Sequence, residues 1–379
     1  MIKGTVIKVR DEINRPETNY RAIDALNCSM IKLFDAEPIK FYEQFKLGKK
    51  KKDSKGTALI IGDIVDFYIL DCKGHEQEFE DRFDEKFALF QETKGTGQVF
   101  ILCDTLLEVT LENTNENGEI MKEFDDLFKE AARRVKILGK YSGKTDDKIL
   151  EDFKKSGQVY YQTLIDNVGK VVVDVSLLDK ARLVAQLLMK DPFTKDVFSD
   201  DGEIEYFPKF PIEWIYTCKN GSKIVCKSEL DLLKIDHDKK IIYPKDLKTT
   251  YDNENFEMNY LKHRYDLQAA FYHLAVRYWA SQEGLKGYII EPMEFIVGDT
   301  SASNRRPIRY QLMEEDLFKA THGFSVYGKQ YKGIITLIEE INWAEITNNW
   351  NASKEVIDSN GKMILNIKYD DNKPIETSS

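Results

Sequence analysis

Apolar residues recur at three- and four-residue intervals along the first half of the chain and at two-residue intervals in much of the second half. This pattern predicts helices first and strands later. Between Asn19 and Phe45, Ile23, Leu26, Met30, Ile31 and Phe34 fall on one helical face, and Pro38 marks a break. Ala58 to Leu70 predicts a second apolar helix, with Asp66 on or near its buried face. Asp71 to Asn117 starts as charged helix and continues with a strand or helix over Val99 to Val109. Gly118 to Lys195 reads as mostly helical.

From Gly202 the period changes. Ile212 to Tyr216, Lys223 to Ile235 and Lys240 to Asp246 alternate as strands do, separated by turns at Lys219-Asn-Gly221 and Asp236-His-Asp238. Asn259 to Ala280 predicts one long helix, Glu291 to Val297 and Ile308 to Leu312 two further strands, and Gly323 to Glu339 a return to helix. Lys354 to Ser379 is a polar tail. The expected fold class is α/β in the broad sense (α+β): a central mixed sheet flanked by helices, with a helical N-terminal half. The expected organisation is an arm with a basic loop over 1–57, a mostly helical region with the first core helix over 58–200, a core of sheet and helices over 201–350, and a tail over 351–379.

Composition narrows the class. Hydrophobic residues are 42% of the 379, enough for a packed core. The longest apolar runs, such as Ala58 to Ile61 and Val171 to Val173, are far too short to span a bilayer, so no membrane partner is expected. Met1-Ile2-Lys3 leads through Gly4-Thr5-Val6-Ile7 into charged residues, which predicts no signal-peptide core. Cys28, Cys72, Cys103, Cys218 and Cys226 form no CxxC pair; neither a zinc knuckle nor a disulfide framework is expected, and a reducing cytoplasm suits them. A net charge of −10 disfavours nucleic acid as a partner, yet the 55 basic residues can still line a local groove.

The informative stretch runs from Lys227 to Ile235, through a turn, to Ile241-Ile-Tyr-Pro-Lys-Asp-Leu-Lys-Thr249. Side chains two apart on a strand share a face, so Asp246 and Lys248 point the same way, and Asp231 on the partner strand can lie beside them. Two adjacent carboxylates repel unless a cation holds them, and Mg²⁺ favours a few carboxylates completed by water and phosphate. Lys248 can then orient an attacking water or steady charge on phosphate oxygens. A lone Asp-x-Lys is ordinarily a solvated surface pair, as at Asp71-Cys-Lys73, Asp146-Asp-Lys148, Asp238-Lys-Lys240 and Asp371-Asn-Lys373. Asp246-Leu-Lys248 differs in having a strand before it, Asp231 on the preceding strand and a helix after it. On that helix Tyr265, Gln268 and Tyr272 form one stripe.

The run Glu229-Leu-Asp231, Asp246-Leu-Lys-Thr-Thr250, Phe256 and Tyr265-Asp-Leu-Gln268-Ala-Ala-Phe-Tyr272 resembles the RecE/exonuclease VIII group of PD-(D/E)XK nucleases, allied to the RecB-like and CRISPR-associated RecB-like nucleases. The likeness is strong over 227–275. It extends weakly to Ser29, Pro38, Gly62 to Leu70, Gly323, Tyr327 and Trp350, spanning roughly 20–350. It implies a restriction-endonuclease-like core and a metal-dependent deoxyribonuclease, an exonuclease on linear double-stranded DNA in recombination or repair. It makes Asp231 and Asp246 metal ligands, Lys248 the catalytic lysine, and Gln268 and Tyr272 members of the family's helix motif. Leu247 joins the metal set, necessarily through its backbone. The family's Gly-x-x-x-His element is represented by Gly62-Asp-Ile-Val-Asp66, with Asp66 where the metal-ligating His stands. Asp is a harder oxygen ligand and suits Mg²⁺ or Mn²⁺. No cysteine follows Cys226, so an iron-sulphur cluster is not expected.

Other expectations rest on the resemblance alone: DNA as partner, a single-strand annealing recombination protein as a second, homo-oligomers as an open assembly state, and a phage source acting in the host cytoplasm. A structure-specific or single-strand endonuclease, and a degenerate fold serving as a DNA-binding or assembly module, stay open as alternatives. The Lys46 to Lys55 run and Ser301 to Arg306 are candidate phosphate contacts or solvated loops. Glu229, two before Asp231, is a reserve metal contact. Glu205 and Glu213 carry no assigned role, and the five histidines show no ligand spacing.

Overall fold

Among the described residues, eleven strands build one large sheet and two small ones: β1 (Gly4–Lys8), β2 (Phe87–Phe90), β3 (Val171–Asp174), β4 (Glu205–Thr217), β5 (Lys223–Asp236), β6 (Ile241–Thr250), β7 (Ile289–Ile290), β8 (Glu294–Asp299), β9 (Ile308–Gln311), β10 (Gly323–Val326) and β11 (Lys329–Lys332). The computed structural model describes residues 4–8 (backbone alone), 23–49, 56–91, 97–200, 202, 204–326 and 328–364. The large sheet runs β1-β4-β5-β6-β8-β9, with β7 also on β6. Its β4-β5-β6 core is antiparallel, whereas β6 pairs β7 and β8 in parallel. The expected mixed sheet among helices is therefore present.

Side chains of β5 reach two cores. Leu230, Leu233 and Ile235 meet Trp214, Phe271, Ile31 and Ile338 on one face. Leu232, with Leu247 and Ile296, meets Ile64, Val184 and Leu188 on the other. The Cys28–Ala36, Pro38–Phe45, Tyr265–Gln282 and Ile334–Thr347 helices thus cover the first face; Thr57–Asp66 and Val175–Lys190 cover the second. Trp350 closes the first layer by stacking on Phe41 and Tyr42. A third core of Leu102, Leu106, Phe128, Val135, Phe153 and Tyr160 belongs to the helices between β2 and β3.

Several local expectations are corrected. The sheet reaches into the supposed helical arm, because β1 pairs with β4. That arm's first helix begins at Cys28, capped by the Asn27 side chain, and the chain just before it is extended, with Leu26 bridging to Cys226. Strand β4 begins at Glu205, ahead of Pro208 and Pro211. Prolines fit there because, among the described residues, β1 pairs only with Glu213 to Tyr216 and no strand lies beside the earlier half of β4 on that side. The expected 259–280 helix is two helices, Phe256–Lys262 and Tyr265–Gln282, broken where Arg264 adopts φ 50°. Its guanidinium is tied to Asp35, Asp266 and the Lys332 carbonyl, which holds the break open. Residues 323–332 form the β10-β11 hairpin instead of helix: Gly323 at φ 105° and Gly328 at φ 77° take backbone conformations that glycine favours. The Val99–Val109 ambiguity resolves to the Gln98–Glu112 helix, and β2 and β3 interrupt stretches read as helical. Lys50 to Lys55, Tyr327 and the end of the tail from Leu365 lie outside the described residues.

Candidate active site

The β5-β6 hairpin pairs Leu232 with Lys245, and the same register carried one step further sets Asp231 opposite Asp246. At that step the ladder gives way to side chains: the Leu247 backbone N–H donates to Asp231 Oδ2 at 2.8 Å. Asp246 is buried at the sheet's centre. Its Oδ1 accepts a 2.6 Å hydrogen bond from Gln268 Nε2, so the helix stripe does reach the hairpin. Its Oδ2 forms an ion pair with the Lys248 ammonium, which also donates to the Leu247 carbonyl at 3.3 Å. The five residues Asp231, Asp246, Leu247, Lys248 and Gln268 thus converge. Tyr272, one turn beyond Gln268, packs between the core beneath the sheet and the Phe256–Phe295 cluster.

Asp66 arrives from the other face. Gly62 eases this approach: a Cβ there would meet Thr249 Oγ1 at 3.3 Å, a tight contact between the Thr57–Asp66 helix and β6. One turn later Asp66 projects to the site, where Lys209 Nζ lies 3.6 Å from its Oδ2. Lys209 sits on β4 between Pro208↔Leu232 and Phe210↔Leu230, a register that puts it opposite Asp231.

Charge crowding is the site's main electrostatic property. Burial pushes the Asp246 carboxyl up to about 7 against the attraction of Lys248, with the Asp231 carboxylate adding to the rise. Asp66 is also pushed up, to about 7, by the enclosing protein and by Asp231, against Lys209. A third of the Asp66 side chain still meets solvent. Burial works against the charged Lys248 ammonium, but the Asp246 and Asp231 carboxylates outweigh it and hold the amine above its ordinary range.

Two lysines that sequence reasoning passed over belong here. Lys209 was hidden because its prolines obscured the strand. Lys32, on the Cys28–Ala36 helix, lies 4.9 Å from the Tyr265 ring centroid, and Lys248 lies 5.1 Å from the same ring. Burial lowers the Lys32 amine, and nearby Lys248 lowers it further, although Cys28 opposes this. No local spacing links Lys32 to the hairpin. The Leu26–Cys226 bridge does so in three dimensions, by docking the preceding chain on the free edge of β5.

The donor set of Asp66, Asp231, Asp246 and the Leu247 carbonyl consists of hard oxygens, which suits Mg²⁺ or Mn²⁺. Asp246 Oδ2, buried and held only by the Lys248 ammonium, is the oxygen a cation would share with that lysine. As they stand, however, no three His, Cys, Asp or Glu side chains among the described residues are drawn together tightly enough to hold a metal ion. Lys209 and Lys248 lie against these oxygens instead.

The remaining candidates lie elsewhere. Glu205 pairs with His237 at 3.1 Å, beside the hairpin turn. Glu213 lies at the β1–β4 edge, and Glu229 faces Lys209. Arg305 and Arg306 are engaged with Asp252 and Asp191, and Lys46 with Glu345. All five cysteines are buried. Among the described residues no helix is long and apolar enough to cross a membrane. No family model matches the chain, and no curated protein is detectably similar to it.

Proposed function

We propose that this chain is a divalent-metal-dependent deoxyribonuclease of the PD-(D/E)XK type, acting as an exonuclease on linear double-stranded DNA. The observation that carries the reading is the juxtaposition of Asp231 and Asp246 across one hairpin with Lys248 and Gln268 on the same carboxylate. A buried carboxylate beside a half-buried one, with two nearby ammonium groups, is costly unless it serves chemistry. The mixed sheet with helices on both faces is compatible with a restriction-endonuclease-like core; recombination or repair as the setting rests on the sequence resemblance.

A bound Mg²⁺ or Mn²⁺ would supply a more acidic water and neutralise phosphate charge. The protein's own groups then have distinct tasks. Asp231 and Asp246 hold the cation, with Asp66 and the Leu247 carbonyl completing its protein side. Gln268 fixes the Asp246 rotamer, so that Oδ2 stays aimed at the site. Lys248, once its carboxylate has another partner, can turn its ammonium to the attacking water or to a phosphate oxygen. Lys32 and the Tyr265 ring keep a second positive charge within reach of the strand.

A second reading, a DNA-binding module without catalysis, draws on one observation: no three metal-capable side chains are drawn together. End-labelled linear duplex incubated with Mg²⁺ or Mn²⁺, beside Asp246→Ala and a closed circle, decides among the readings. The expected outcome is shortening of the linear duplex, an intact circle, and loss of cleavage in Asp246→Ala. Nicking of the circle transfers the assignment to an endonuclease. DNA binding without cleavage under either metal transfers it to the module.

A further inference from the structure

Lys209 adopts φ 50° within a strand, a conformation that side-chain-bearing residues rarely take and that costs about 1–3 kcal/mol. Such strain persists only where surroundings enforce it. Pro208 on one side fixes its own φ, and Pro211 restricts Phe210, which is fully buried against Trp279. The residue between them is left to absorb the twist. The consequence is that a long cationic side chain leaves the regular strand face and comes to lie against Asp66, opposite Asp231. The Asp66, Asp231, Asp71 and Glu229 carboxylates outweigh burial and hold its amine above the ordinary lysine range. Lys248 bonds to the Leu247 carbonyl and pairs with Asp246, so its ammonium serves the other half of the donor set.

We propose that Lys209 is the resident counter-cation of the Asp66–Asp231 half of the site and competes with the divalent ion for Asp66. This rests on the metal-dependent reading above and adds a control to it. Without metal, Lys209 offsets carboxylate repulsion that would otherwise open the gap between the Thr57–Asp66 helix and the sheet. When a divalent ion binds, the ammonium must give up Asp66, and its charge becomes available to a phosphate oxygen. The exchange is ionic: no bond forms or breaks.

The test is calorimetric titration of Mn²⁺ into the DNA-free full chain, comparing wild type with Lys209→Met, Lys209→Arg, Asp66→Asn and Asp246→Ala. Lys209→Met removes the charge while keeping much of the volume. The expected result is Mn²⁺ affinity roughly tenfold tighter than wild type, the scale on which groups next to metal ligands act. Lys209→Arg should stay near wild type. The metal-free Lys209→Met protein should melt lower than wild type, with the deficit recovered as Mn²⁺ saturates. In the Asp66→Asn background the gain from Lys209→Met should vanish, because the contested carboxylate is gone.

If wild type binds Mn²⁺ through Asp246 but Lys209→Met binds it equally or more weakly, competition is overturned and the nuclease reading stands. If neither wild type nor Lys209→Met binds Mn²⁺, the metal-dependent reading falls and takes the proposal with it. Should Lys209→Met fail to fold, Lys209→Gln replaces it with the same expectation.

Discussion

Gln268 donates a 2.6 Å hydrogen bond to Asp246 Oδ1, while Lys248 holds the opposite oxygen of the same carboxylate. The helix therefore fixes which oxygen can face a cation, and the strand supplies the ammonium beside it. Removing Gln268 frees the carboxylate to rotate. Gln268→Ala should weaken Mn²⁺ binding by roughly 10- to 100-fold and reduce cleavage in step, since outer partners of ligating carboxylates act on that scale. Gln268→Glu should be worse, because it replaces a donor with a charge next to a buried carboxylate. Unchanged Mn²⁺ affinity in Gln268→Ala would remove the helix from the site.

Asp66 is where the resemblance departs from its family, which has His there. If Asp66 is a ligand, its replacement by the family's residue should preserve the position's task. Asp66→His should retain Mn²⁺-dependent cleavage within about tenfold of wild type, whereas Asp66→Ala should lose at least as much as Gln268→Ala does. Lys209 would face an imidazole in place of a carboxylate, so the His variant should also bind metal with less competition. Equal activity in Asp66→Ala and wild type would return Asp66 to an ordinary helix carboxylate.

The site's legibility in the sequence followed its local periodicity. Asp231, Asp246 and Lys248 could be placed because a two-residue repeat and a short turn determine register within one hairpin. Gln268 was singled out by helical spacing, as a group that could orient the lysine; its hydrogen bond goes to Asp246. The element boundaries that were missed have a different cause. Arg264 breaks a helix through ties to Asp35 and the Lys332 carbonyl, both remote in sequence. The two prolines of β4 are tolerated because, among the described residues, half of the strand has no neighbour on one side, a property of the assembled sheet. Lys32 and Lys209 reach the hairpin only through strand pairing and packing. No period within either segment could announce them.

His273 offers a pH test away from the carboxylates. Burial, reinforced by the Arg277 guanidinium, pushes its imidazole down to about 4, and its Nδ1 is buried without a hydrogen bond. The folded state therefore binds fewer protons at this residue than the unfolded chain, whose histidine titrates at about 6.5. Stability from this group is complete above that pH and is lost as pH falls toward about 4. The loss should reach on the order of 2–3 kcal/mol. Urea unfolding at pH 7 and pH 4.5 should show wild type losing more stability than His273→Gln over that step. Parallel losses in the two proteins would mean that the imidazole titrates as freely in the fold as outside it.

The contact between Gly62 and Thr249 links helix placement to chemistry. A Cβ on Gly62 would stand 3.3 Å from Thr249 Oγ1, close enough that one of the two must yield. In isolation an alanine gains about 1 kcal/mol over glycine within a helix, so Gly62→Ala should not unfold the protein. It should instead lift the Thr57–Asp66 helix by a few tenths of an ångström and draw Asp66 away from Asp231. Metal affinity should fall severalfold while the melting temperature stays near wild type. Thr249→Ala removes the obstructing oxygen, so the Gly62→Ala/Thr249→Ala double variant should recover metal affinity relative to Gly62→Ala alone, a coupling that a double-mutant cycle isolates. Simple addition of the two single effects would show that the glycine is there for some reason other than close approach, and the geometric route by which Asp66 reaches the hairpin would need another explanation.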